Sequence, residues 1–340
     1  MNRVLLNTLY VQAQGAYLRL DHETLKVELE RETRLQVPLH HLGGVAVFGN
    51  VLVSPFLVHK LSEEGKDLVY FTENGRFRAR MLSTTSGNVL LRIAQHDALK
   101  DVAARLELAR GFVLGKIRNA RHVLLRARRE DAEQPGNLDD AINELARLIS
   151  NAETAQDIDV LRGAEGMAAA CYFRNFDSLI SVSEFTFDGR NRRPPRDPTN
   201  ALLSFIYALL TNDVASALEG AGLDPQVGYL HALRPGRMAL ALDLMEEFRP
   251  WFADRLVLTL INRKQLSLDD FEFKPGGSVH LAEPGRKKVL VAYQQRKQDE
   301  LAHPLYKQKV PIGLLWHVQA RLLARVLRGD LERYVAYSPR

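Results

Sequence analysis

Two carboxylates three residues apart, Asp243 and Glu246, stand in the segment Leu240-Ala241-Leu242-Asp243-Leu244-Met245-Glu246-Glu247-Phe248-Arg249-Pro250. On a helix that spacing lets both face one way. His231 closes Gly228-Tyr229-Leu230-His231, ahead of a Pro235-Gly236 turn that can fold it back over the carboxylate helix. Glu165 interrupts the small-residue run Leu161-Arg162-Gly163-Ala164-Glu165-Gly166-Met167-Ala168-Ala169-Ala170-Cys171. A carboxylate in so crowded a place is either desolvated at a cost or compensated by a cation. One imidazole nitrogen and several carboxylate oxygens make a hard, mostly oxygen donor set, which suits Mg²⁺ or Mn²⁺ better than a soft or redox metal. Plainer readings compete with each: a solvent-facing Glu165, a hydrogen-bonded structural His231, and an ordinary amphipathic face for Asp243 and Glu246. Glu247, one step around, is expected to pair with Arg249 or to face solvent.

Positive charge is unevenly distributed along the chain. Between residues 105 and 129 the chain carries a surplus of seven positive charges, exceeding the +5 of the whole molecule. A second basic stretch, Arg190 to Arg196, holds four arginines and two prolines. Both can lie along a phosphate backbone; both can equally be solvated surface. Together they make an acidic polymer a plausible partner.

Other chemistries lack their signatures. There is no GxxxxGK[ST] phosphate loop, no HExxH and no GxSxG. A single cysteine excludes an intrachain disulfide framework and a cysteine-based zinc cluster, and Cys171 reads as packing. His40-His41 reads as a turn beside a strand, and Trp251 and Trp316 as core. Tyr293, near Arg296 and Lys297, reads as a partly exposed helical tyrosine that could also touch DNA. No uninterrupted apolar stretch reaches the length of a bilayer-spanning helix, and Met1-Asn2-Arg3-Val4 has no signal-peptide layout. The expected compartment is the cytoplasm, with no membrane partner.

The elements that must position these side chains divide the 340 residues in two. Residues 3 to about 82 read as strands. Val4, Leu6, Leu18, Leu20, Leu25, Val27 and Leu29 alternate at period two, and Leu35, Val37 and Leu39 repeat the pattern. Ser54-Pro55 reads as an N-cap and a first-turn proline opening a short helix, and Asn74-Gly75 as a hairpin turn. The remainder reads as helical: residues 91 to 129, 138 to 149, about 152 to 173, 200 to 219 and 238 to 248, then 286 to 298 and 312 to 327. Pro135-Gly136 breaks the pattern once, and a short hairpin-like insertion lies at 270 to 283. The fold class expected is α+β, with a small antiparallel β domain over 1–88 and a larger helical catalytic domain over 89–340.

The three segments Leu161 to Gly166, Gly228 to His231 and Leu240 to Pro250, in that order, closely resemble the CRISPR adaptation integrase family, the first of the CRISPR-associated proteins. The likeness covers essentially the whole chain and is greatest to the type I-C form. The resemblance implies a metal site of one glutamate, one histidine and one further acid, which fall by motif match on Glu165, His231 and Glu246. Asp243 matches an additional acidic position, an alternate or indirect ligand. The last ligand is aspartate in many relatives and glutamate here, a longer arm to the same ion. The resemblance further implies a homodimer, two of which bracket a central dimer of the small second CRISPR-associated protein. That assembly takes double-stranded DNA fragments and joins them into a CRISPR array. The reaction is an attack by a spacer 3′-hydroxyl on a repeat phosphodiester, needing Mg²⁺ or Mn²⁺ and no ATP. With water in place of the hydroxyl, the same site implies a nuclease acting on nonspecific or branched DNA.

Overall fold

The computed structural model describes residues 7–81, 89–130, 138–304 and 309–339. The N-terminal part holds strands β1 (Thr8–Val11), β2 (Tyr17–Asp21), β3 (Thr24–Leu29), β4 (Glu32–Pro38), β5 (Gly44–Phe48) and β6 (Leu52–Val53). Helix α1 (Pro55–Glu63) and strands β7 (Asp67–Phe71) and β8 (Phe77–Arg80) complete it. Ser54 caps α1 by accepting from the Leu57 amide at 3.3 Å, with Pro55 in the first turn. Two four-stranded sheets result, in the orders β4-β3-β2-β6 and β1-β5-β7-β8.

The two-part α+β plan is the one the sequence predicts; the pairing within the sheets is not wholly antiparallel. β2, β3 and β4 form an antiparallel meander, but β1, β5 and β7 run parallel, as do β2 and β6. Helix α1 supplies the crossover that a parallel β5–β7 pair requires. Alternation reports which face a residue takes and carries no information about strand direction. Leu35, placed with the inward leucines, is 44% exposed because β4 is an edge strand. Val4, Leu6 and Leu82 lie outside the described residues, as does residue 88 at the expected domain boundary.

Alternation along β5 and β7 serves two cores. Val45, Val47 and Leu68 pack with α1 and the first sheet, whereas Ala46, Phe48, Val69 and Phe71 join the helical core. Phe48 stacks on Phe71 at 5.0 Å and on Phe205 at 6.1 Å. Arg80 reaches Glu219 at 2.7 Å, so the β part is docked on the central helix.

Helices α2 (Val89–Lys100), α3 (Val102–Glu130), α4 (Asp139–Thr154), α5 (Ile158–Arg174), α6 (Pro198–Gly220), α7 (Ala239–Met245) and α8 (Arg255–Asn262) follow. A hairpin of β9 (Phe271–Phe273) and β10 (Val279–Leu281), then α9 (Glu283–Gln298), a second small hairpin of β11 (Glu300–Ala302) and β12 (Lys309–Pro311), and α10 (Leu315–Leu327) end the chain. The continuous period at 91 to 129 is two helices, because Asp101 accepts from the amides of Ala103 and Ala104 and restarts the chain. Asp157 does the same for α5, which therefore begins at Ile158 rather than near 152. Pro135-Gly136 lies outside the described residues. Helix α6 is capped by Asp197, with Pro198 at its start. Its 23 residues are long and apolar enough to span a bilayer, yet 67% of the apolar window is buried. Its hydrophobicity on nearly every side belongs to a helix at the centre of a core.

Candidate active site

Glu165, His231, Asp243 and Glu246 come from three separate elements and meet at one place. Helix α5 carries Glu165, the loop between α6 and α7 carries His231, and α7 with its C-terminal end carries Asp243 and Glu246. Arg162, one turn before Glu165, donates to the Leu230 carbonyl at 3.0 Å (Nε) and 2.7 Å (Nη2). Arg105 of α3 donates to the neighbouring Tyr229 carbonyl at 3.0 Å. The histidine loop is thus tied to the glutamate helix by a residue of that helix's own motif. Gly228 lets the loop lie on α7: a Cβ there would fall 2.6 Å from the Ala239 carbonyl carbon and 2.7 Å from Asp243 Oδ2.

Asp243 is fully buried and fully engaged. Its Oδ2 accepts from the amides of Tyr229 (2.6 Å) and Leu230 (3.0 Å), and its Oδ1 from the His231 amide at 2.9 Å. The same Oδ1 lies 2.7 Å from His231 Nδ1. An acceptor-only carboxylate places the proton on Nδ1 and leaves the Nε2 lone pair free. Nε2 is 3.7 Å from Glu246 Oε1. Asp243 therefore orients the imidazole, and with four donors on its two oxygens it has little capacity left for an ion.

Lys116 of α3, which the sequence offered only as one of a basic series, stands between the two glutamates. Its ammonium contacts Glu165 Oε1 and lies 2.8 Å from Glu246 Oε2. Arg249 approaches the other Glu246 oxygen at 2.9 Å. Burial pushes the Glu246 carboxyl up, but Arg249 and Lys116 outweigh it and hold it well below the usual carboxylate range. Burial likewise opposes charge on Lys116, and Glu246 and Glu165 overcome it, raising that pKa. Glu246 is ionised and buried between two cations.

The donor types gathered here are those that a hard divalent ion takes. Glu165, His231 and Glu246 line one cavity of about 960 Å³. Glu246 Oε2 is buried, and the Lys116 ammonium lies 2.8 Å from it. Two carboxylates and a free imidazole nitrogen make an oxygen-rich donor set. Among the described residues no three His, Cys, Asp or Glu side chains are drawn together closely enough to count as a formed cation cage, and Lys116 occupies the gap between the carboxylates.

Several expectations are corrected. Glu247 neither pairs with Arg249 nor faces solvent: it is buried and accepts from the Tyr337 amide (2.7 Å), the Tyr334 hydroxyl (2.9 Å) and Gln319 (3.3 Å). Burial pushes its carboxyl up to about 8 against those hydrogen bonds. Tyr293 is buried with its hydroxyl on Asp213 at 3.0 Å, which removes it as a DNA contact. Helix α3 is not a free basic stripe. Arg110 and Arg121 donate to backbone carbonyls of α4 or the turn after it, Arg118 pairs with Glu153, and Arg128 pairs with Asp139. The sequence could not reveal this, since a central helix and a surface helix share the same charges. In the second basic stretch Arg193 and Arg196 are exposed, Arg192 is exposed and also lines the cavity, and Arg190 is drawn further into it. Cys171, Trp251 and Trp316 are core residues as expected.

The chain as a whole is similar to known proteins. Residues 9–295 match the sequence profile described as CRISPR associated protein Cas1. The chain is 50% identical to the CRISPR-associated endonuclease Cas1 1 of Moorella thermoacetica over 341 aligned positions, covering 99% of each protein. The fold is shared with a casposase bound to an integration product (TM-score 0.86, 22% identity, 97% of this chain and 92% of the other). It recurs in a chain of a Cas6-RT-Cas1–Cas2 complex (TM-score 0.83, 23% identity, 98% of this chain and 36% of the other). The chain belongs to the Cas1 family of CRISPR-associated proteins.

Proposed function

We propose that this Cas1-family chain is a divalent-metal-dependent DNA integrase and endonuclease. It inserts short foreign DNA fragments as spacers into a CRISPR array. The observation that carries the metal dependence is the convergence of Glu165, the free Nε2 of His231 and the ionised Glu246 on one cavity, with Asp243 fixing the imidazole. Those three residues would hold Mg²⁺ or Mn²⁺. When bound, the ion lowers the pKa of an attacking hydroxyl and neutralises charge on phosphate oxygens.

The chain's own residues do the rest. The 3′-hydroxyl loses its proton and forms a new P–O bond as the repeat's 3′-oxygen leaves and takes a proton. One phosphodiester replaces another, so no nucleotide cofactor is consumed. Arg249 and Lys116 hold Glu246 ionised, Lys116 also contacts Glu165, and Asp243 keeps the His231 proton on Nδ1. The exposed Arg192, Arg193 and Arg196 take backbone phosphates without reading sequence. Water entering in place of the hydroxyl gives cutting of duplex or branched DNA.

The working assembly on this reading is a type I-C-like, cytoplasmic complex of homodimers with a dimer of the small second CRISPR-associated protein. The Cas1–Cas2 complex and the casposase caught with its integration product, both of the same fold, support it by analogy. A strand-transfer assay tests it. The protein is mixed with a short duplex bearing free 3′-hydroxyls and a supercoiled repeat-containing plasmid, with Mn²⁺ or EDTA and with or without the small partner. Covalent joining that requires metal and is lost in Glu165→Ala is expected. Cutting without joining in the presence of active partner would replace integration with a repair-nuclease role; DNA binding with neither reaction would leave only a scaffold.

A further inference from the structure

The cavity that reaches Glu165, His231 and Glu246 continues to a second group of side chains that holding an ion does not use: Arg190, Tyr207, Arg249 and Asp254. The guanidinium carbons of Arg190 and Arg249 lie 5.4 and 5.2 Å from the centre of the Tyr207 ring. The Tyr207 hydroxyl donates to Asp254 at 2.6 Å, which fixes the ring in place. Both cations are thus within cation–π range of one ring, an arrangement the ring's quadrupole favours.

Among the described residues Arg190 donates to neutral acceptors: the Asn191 carbonyl and Asn200 Oδ1, both at 2.6 Å, and Ser204 Oγ at 3.2 Å. Among the same residues Arg249 has one carboxylate within ion-pair distance, Glu246 at 2.9 Å. Burial, Arg249 and Arg192 depress the Arg190 guanidinium pKa, while Tyr207 and Asp254 act the other way. Asp254, the acid at this end, is committed to Tyr207 and is itself pushed up by burial to about 6. Two like charges lining one cavity favour an anion within it.

We propose that Arg190 and Arg249, seated on Tyr207, form a subsite for one backbone phosphate of the DNA strand whose reacting end lies against Glu165, His231 and Glu246. This rests on the integrase reading and sharpens it. Arg249 joins the two halves, since one edge of its guanidinium holds Glu246 and the rest faces Tyr207. The phosphate so held fixes how far along the strand the reacting atom is placed, independently of base identity.

The test is a scan of a single-stranded oligonucleotide in which one phosphate at a time is replaced by an uncharged methylphosphonate. Affinity for the full-length protein is read by fluorescence anisotropy in EDTA. Wild type should lose about tenfold at one position near the 3′ end, the effect of one good charge-assisted contact. Arg190→Gln should bind about tenfold more weakly throughout and lose nothing further at that position. Arg190→Lys, which keeps the charge without the fork and remains informative if Arg190→Gln fails to fold, should show a reduced loss there. A flat scan in wild type, or an undiminished positional loss in both variants, overturns the subsite and leaves Arg190 as a tie between its loop and α6. Because the scan involves no reaction, a failure of metal-dependent joining in the strand-transfer assay would sink the integrase reading separately.

Discussion

One oxygen of Asp243 lies 2.7 Å from Nδ1 of His231 and 2.9 Å from the same residue's backbone amide, so a single carboxylate sets both the ring and the main chain of the histidine. The other oxygen secures the two preceding amides. The position nearest the histidine in the active site is therefore a positioning residue, and its loss has structural as well as chemical consequences.

Asp243→Ala leaves three buried amides without an acceptor, at about 1–3 kcal/mol each. Thermal unfolding should show a destabilisation of several kcal/mol, well beyond that of Glu165→Ala, whose side chain is partly exposed. Asp243→Asn retains one acceptor oxygen but turns an NH₂ toward donors; strand joining should fall about 10–100-fold, as for removal of an imidazole's orienting partner. An Asp243→Ala melting curve superimposable on wild type would contradict this assignment.

Gly228 has no room for a methyl group, which would meet Ala239 and the Asp243 carboxylate below 3 Å. Gly228→Ala should cost about 1–3 kcal/mol from overpacking and lift the histidine loop off α7. The readout pairs the unfolding midpoint with NMR of the His231 ring, whose Nδ1–H signal should shift or broaden. A conservative Val227→Ile change next to it serves as the reference for mere crowding.

Lys116→Met removes the cation shared by Glu165 and Glu246. Stranding a buried charge partner costs about 3–5 kcal/mol when nothing replaces it, and Arg249 remains as a partial substitute on Glu246. The metal-free variant should melt lower than wild type. Added Mn²⁺ should recover more of the melting temperature in the variant than it gives to wild type, because the ion no longer competes with an ammonium. Equal Mn²⁺-induced shifts in the two proteins would show that Lys116 and the ion do not share these carboxylates.

Glu247 gives a pH signature. Its carboxyl is raised from 4.5 to about 8 by burial, so between those values the folded protein holds a proton that the unfolded chain releases. Its contribution to stability is full below about 4.5 and declines as pH rises through 8, with a limiting slope of about 1.4 kcal/mol per pH unit. Glu247→Gln keeps an acceptor for Tyr337 and an amide for Tyr334. Denaturant titrations at pH 5.5, 6.5 and 7.5 should therefore show a flatter stability profile in Glu247→Gln than in wild type. Parallel profiles would mean that Glu247 does not hold that proton.

Much of this molecule follows from local rules that act within a few residues. Ser54 and Asp197 cap helices with proline behind them, and Asn74-Gly75 sits in the turn between β7 and β8. The hairpin at 270 to 283 forms as its turn residues suggest. The same holds for the site's membership: Glu165, His231, Asp243 and Glu246 are each visible in short motifs, and the structure brings all four together. Arg249 was within reach of the same logic, three residues past Glu246 on the same helical face.

Tertiary structure decided the rest, because partnership across distant segments leaves no periodic trace. Lys116 lies 49 residues before Glu165 and 130 before Glu246 in the sequence, and only the packing of α3 against α5 and the end of α7 makes it their counter-ion. The burial of Glu247 depends on a C-terminal segment folding back to bring Tyr334 and Tyr337 to it. Likewise the drawing of Arg190 inward, away from the exposed Arg193 and Arg196 of the same loop, depends on Asn200 and Ser204 of α6. Sequence alone determined which groups could do the chemistry and which local elements carry them. The order in which charges oppose one another in a shared, desolvated space was fixed only when those elements packed, since electrostatic energy depends on distance and burial and not on position along the chain.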